Sequence, residues 1–237
     1  NGTLNWMPMP RGYKPEGQVD VPGVPVDRSD PFGPDFSASE WKPDVVLGAG
    51  VNPDVAVGAV AATRQTVANL KGDMGTYVAK LYAKNPKASP QIVQRGSRRL
   101  RVPDPETGKL IDAAGVYRPR LDTLHVAEGQ IENALTHEIG HQITMGKHLV
   151  SMLGQTKANA FRKEIRTAFN AAKKREARGF LPGVKGVGTI TKYAMKNLDE
   201  YMAEGFQFAQ HNPNLFAGVD DELLRIMRKY LVTDKPV

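Results

Sequence analysis

The sequence predicts a helix-rich α+β domain with a small mixed sheet, preceded by an extended Pro/Gly-rich N-terminal arm. Three observations lead there. Proline and glycine crowd the first 43 residues. Short runs of β character lie together between residues 91 and 126. Apolar residues then recur at three- and four-residue steps through much of the remainder. With 237 residues, 41% of them hydrophobic and 24% charged, the chain suits one large domain. It has no run of about 18 apolar residues such as a membrane span needs, and no periodicity of a collagen or coiled-coil kind.

Each element has a local reason. Residues 1–43 contain eight of the seventeen prolines, with Gly2, Gly12, Gly17, Gly23 and Gly33 interspersed. Proline fixes φ and removes a donor, so this arm reads as extended, and residues 44–237 as the domain proper. Asn1 in place of Met predicts a processed product or part of a larger parent chain, and the arm is expected to contact that parent, the domain or an assembly. From Asp54 to Lys84, Val57, Val60, Val67, Leu70, Met74, Val78 and Leu81 predict one long helix or two joined near Gly72–Gly75. Gln91–Val102 and Lys109–Tyr117 read as strands around a Pro103–Gly108 turn. Arg120–Val126 alternates as a strand, at the sheet edge or in its core.

After Gly129 the period changes. Ile131, Leu135, Ile139 and Ile143 form an i, i+4 stripe and predict an amphipathic helix to about Met145. Ala158–Arg178 is helical and strongly basic. Pro182–Gly188 is a loop, and two helices follow near Lys196–His211 and Asp220–Leu231. Asp220 and Asp221 suit the positive end of the last one.

The net charge of +7 suits an acidic partner without demanding one. The basic helix reads as a solvated face, so nucleic acid is not an expected partner. His125, His148 and His211 read as packing or surface histidines. The absence of cysteine removes disulfides, thiolate nucleophiles and Cys-based zinc sites together.

The chemistry is concentrated at His137-Glu138-Ile139-Gly140-His141. Two histidines four apart on a helix lie one turn apart on one face and can reach one cation. Glu138 beside them can act as a base without taking a coordination place. The apolar stripe points largely away and anchors the helix. A catalytic zinc needs a third protein ligand and an open position. The extended motif with Gly at 144 and His at 147 is excluded, because Thr144 and Lys147 stand there and His148 is one residue out of register. Glu200 and Glu204 share a face of the later helix. One of them could ligate the metal while the other orients a ligand histidine.

Tyr193-x6-Glu200-x3-Glu204, about sixty residues after the HExxH, resembles the gluzincin zinc peptidases, notably the catalytic domain of anthrax lethal factor and related toxin or phage-encoded peptidase domains. The likeness spans roughly Arg120–Ala209. It implies a zincin-like fold, Zn2+ held by His137, His141 and Glu200, and Glu138 as general base. It further implies Tyr193 as oxyanion donor and Glu204 behind a ligand histidine. The expected activity is zinc-dependent endopeptidase cleavage of a protein or peptide substrate by a secreted effector or virion-associated protein. The alternative is a structural component of a virion or toxin complex with a vestigial peptidase fold.

Overall fold

The computed structural model describes residues 46–48, 51–104, 107–178, 191–211 and 218–232. The Pro/Gly arm and the Pro182–Gly188 loop lie outside the described residues, as do Pro105 and Glu106 of the predicted turn. In chain order the elements are β1 (Val46–Leu47), α1 (Pro53–Ala68), α2 (Met74–Lys84), β2 (Pro90–Val93), β3 (Arg101–Pro103), β4 (Leu110–Asp112), β5 (Gly115–Arg118) and β6 (Thr123–Ala127). The helices α3 (Ile131–Thr144), α4 (Lys147–Ala177), α5 (Leu198–His211) and α6 (Asp221–Tyr230) follow. The fold is helix-rich α+β with a small mixed sheet. Among the described residues no helix is long and apolar enough to cross a membrane.

The predicted helical stretch 54–84 is two helices. α1 starts on Asn52, whose side chain accepts from the Asp54 N–H at 2.9 Å, with Pro53 at its first position. The chain breaks after Asn69 and turns through Gly72 at φ 63°. The β runs divide more than the residue pattern suggests. Pro90–Val93 enters the main sheet, whereas Arg101–Pro103 pairs with Leu110–Asp112 in a separate antiparallel ribbon. A turn and a short 3-10 helix, Arg98–Leu100, lie between the two halves of the first run. The second run is likewise split into β4 and β5.

The main sheet has the order β1-β2-β6-β5, with the first three strands parallel and β5 antiparallel to β6. For residues 120–126 this corrects where the strand starts and decides for the core of the sheet over its edge. The strand begins only at Thr123, because Asp122 takes a left-handed φ of 52° in the β5–β6 turn, a conformation aspartate tolerates better than most residues. It is also an inner strand, flanked by β2 and β5. That burial on both faces explains why Leu124, His125, Val126 and Ala127 are all buried and the alternation is lost. The outermost strand on this side is β5.

α3 lays Ile131, Leu135, Ile139 and Ile143 into the core, as the stripe predicts. Gly140 lets α5 approach closely: a Cβ there would lie 3.0 Å from both Cα and O of Ala203. α4 begins at Lys147, eleven residues before the predicted start, because Gly154 (φ 74°, ψ 159°) interrupts the pattern and two helical pieces abut there. Its inward side is Phe161, Ile165, Ala168 and Ala172, while Lys157, Lys163, Arg166, Lys174 and Arg178 face solvent. Asp220 caps α6 through the Leu223 N–H and accepts a 2.8 Å bond from Tyr201 of α5.

Candidate metal centre

The site lies between α3 and α5. α3 supplies His137, Glu138 and His141. α5 begins two residues before Glu200, and Asn197 fixes its phase by accepting the Glu200 N–H at 2.9 Å. Glu200 therefore sits in the first turn, where the helix end favours a carboxylate. Glu204 lies one turn further along.

Three ligand-capable atoms converge. Glu200 Oε2 lies 3.1 Å from His137 Nε2 and 3.3 Å from His141 Nε2, and ligand atoms of all three residues fall within 4.8 Å of one another. In a tetrahedral zinc site, with bonds of about 2.0–2.1 Å, neighbouring ligand atoms sit roughly 3.3 Å apart. The two spacings from Glu200 are those of a metal centre, and His137, His141 and Glu200 could hold a metal ion. The His141 Nδ1 is buried without a hydrogen-bond partner, so its ring is fixed by packing and by what the other nitrogen faces.

The electrostatics match a site made for positive charge. Burial would push the His137 imidazole down, but Glu200 and then Glu204 outweigh it and hold it at about 10. Burial would likewise raise Glu200, yet its bonds to His137 and His141 draw it down to about 2. A proton on His137 thus stands where a divalent ion can take over its charge, and metal uptake would release it.

The other predicted residues lie around this cluster. Glu204 Oε1 lies 3.5 Å from His137 Nδ1, while its Oε2 accepts a 2.9 Å bond from Thr191. The Tyr193 hydroxyl donates to Glu200 Oε1 at 3.3 Å, and its ring meets His137 edge-on at 5.9 Å. Tyr193 is 44% exposed, so the phenol stands at a solvent-open margin. Partial burial, then the Glu200 and Glu138 charges, raise its pKa and keep it protonated. Glu138 is buried, and that burial pushes its carboxyl up against the opposing pull of His141 and His137.

No family model matches the chain, and no curated protein or solved structure matches it either.

The remaining histidines stand apart from this centre. His148 Nε2 bonds Asp122 at 2.8 Å, and His211 bonds the Thr136 hydroxyl at 2.8 Å. His125 is buried in the sheet. Residue patterns alone missed Thr191 and Asn197, which support the site from outside the motifs. Only Asn197 left a readable sign, as an amide three residues before an acidic one at a helix start.

Proposed function

We propose that the chain is a zincin-like zinc endopeptidase that hydrolyses a protein or peptide substrate. The observation that carries this reading is the convergence of His137 Nε2, His141 Nε2 and Glu200 Oε2, with Glu138 and Tyr193 at its margin. Zinc is the ion best suited to two imidazoles and one carboxylate, and when bound it supplies Lewis-acid polarisation of a carbonyl and a water acidified toward pH ~7.

The chain's own groups do the rest. Glu138, its carboxyl raised by burial, accepts the proton of the attacking water and returns it to the leaving amine. The Tyr193 hydroxyl donates to the oxygen on which negative charge develops. Glu204, with Oε1 3.5 Å from His137 Nδ1, sits behind the imidazole and favours the orientation in which Nε2 is directed inward. The outer edge of β5, the strand against which Glu138 rests, is where an extended peptide would pair. Residues 123–127 lie inside the sheet and leave that role to β5.

The test is metal content and cleavage together. Purified protein supplied with zinc should hold one ion per chain and cleave a general peptide substrate, and a chelator should stop it. Glu138→Gln should keep the ion and lose about 10²- to 10⁴-fold in turnover. Turnover retained in that variant would refute the general-base assignment. A folded chain that binds no zinc would favour the assembly role with a vestigial peptidase fold.

A further inference from the structure

Gly115 opens β5 and belongs to no motif. A Cβ at this position would lie 2.6 Å from Glu138 Cγ, 2.9 Å from Oε1 and 3.0 Å from Cδ, well inside the ~3.5–4.0 Å at which such atoms rest. Glu138 is only 6% exposed, so its side chain has little open space into which to retreat. Two residues on, the Tyr117 backbone N–H bonds the same carboxylate. One strand therefore meets Glu138 twice, once with a hydrogen bond and once with bare backbone.

We infer that Gly115 is a positioning residue for Glu138: its missing side chain lets the Glu138 carboxylate lie against β5, where the Tyr117 N–H holds it. The strand pairing does not require the glycine. Gly115 pairs with Val126 as any residue would, and its backbone lies outside the left-handed region. What the position excludes is a side chain, a familiar role for glycine where another group comes close to a strand. The catalytic consequence rests on the peptidase reading above; the contact does not.

Two readouts test it. In the zinc-loaded enzyme, Gly115→Ala should lower kcat by roughly 10- to 100-fold, the cost of moving a catalytic group by about an ångström. KM and zinc affinity should change less than about threefold. In thermal unfolding of the metal-free protein, G115A should lower Tm by about 2–10 °C, as overpacking does in a chain of this size. In a Glu138→Ala background, where Cγ is gone, G115A should cost less than about 1 °C by the same reasoning. If G115A alone does not fold, the G115A/E138A double variant must. Equal Tm losses in both backgrounds, a double variant that does not fold, or full kcat in G115A would each overturn the assignment. Should the wild type bind no zinc and cleave nothing while the thermal coupling persists, the peptidase reading falls and the Gly115–Glu138 contact stands.

Discussion

Helix α3 carries two histidine–carboxylate clusters of opposite character. At one, His137 and His141 face Glu200 and Glu204. At the other, Gln142, the residue after His141, reaches into a buried knot around Asp122. There Asp122 Oδ1 receives His148 Nε2 at 2.8 Å, the Tyr117 hydroxyl at 3.1 Å and Gln142 Nε2 at 3.4 Å, while Oδ2 faces Lys147 Nζ at 3.1 Å. Tyr82 closes the network by donating to Gln142 Oε1 at 2.9 Å. Around Asp122, donors from several elements saturate one carboxylate. Burial would raise the Asp122 carboxyl, but His148 and Lys147 hold it well below the usual range. In the first cluster, ligand-capable atoms from two helices converge on one point, where a proton on His137 holds a charge that a cation can take over. Saturated donors tie a fold together; convergent acceptors invite a cation.

The sharpest way to separate the clusters is to remove one member of each. Glu200→Ala should lose zinc altogether, measured by metal analysis after dialysis, with the protein still folded. Zinc retained at full stoichiometry would mean that a different residue is the third ligand. Asp122→Ala should instead cost about 3–5 kcal/mol of folding stability, because it strands buried donors and a buried imidazole, while zinc affinity of the folded fraction changes less than threefold. An Asp122 variant that folds stably yet fails to bind zinc would merge what the geometry keeps apart.

Smaller effects sharpen the roles inside the metal centre. Tyr193→Phe should slow turnover by about 10²- to 10³-fold with zinc affinity unchanged, as for loss of an oxyanion donor. Glu204→Ala should weaken zinc by roughly 10- to 100-fold without abolishing it. The reverse order for Glu200 and Glu204 would exchange their assignments.

Acid should act outside the metal centre as well. Burial first, then the charges of Arg118 and Arg99, lower His125 from its usual 6.5 to about 3. The unfolded chain then binds a proton below pH 6.5 that the folded chain refuses. Stability of the metal-free protein should therefore fall as pH drops from 6.5 toward 3, read from chemical denaturation. Replacing His125 by Gln should flatten the upper part of that decline, where carboxylates do not yet titrate. An unchanged slope would remove His125 from the acid response.

What the residue pattern could and could not show follows from range. The HExxH and the paired glutamates are local, because four residues make one helical turn, and their faces follow from spacing alone. The stripe that buries α3 and the acidic start of α6 at Asp220 and Asp221 are legible for the same reason. The split β runs were not, because the choice between one strand and two depends on which partners each half finds. Asp122 falls inside a run that reads as a strand: its left-handed φ and its partners at positions 85, 117, 142, 147 and 148 leave no short motif. Gly115 became visible only when α3 came to rest against β5. Range also hid the sheet order, which turned residues 123–127 from a candidate edge into an inner strand.

The most direct measurement is anomalous diffraction at the zinc edge from crystals grown with one equivalent of zinc. The account predicts one peak, within about 2.0–2.2 Å of His137 Nε2, His141 Nε2 and a Glu200 oxygen. A peak at the Asp122–His148 knot in its place, or none in an otherwise ordered chain, would contradict it.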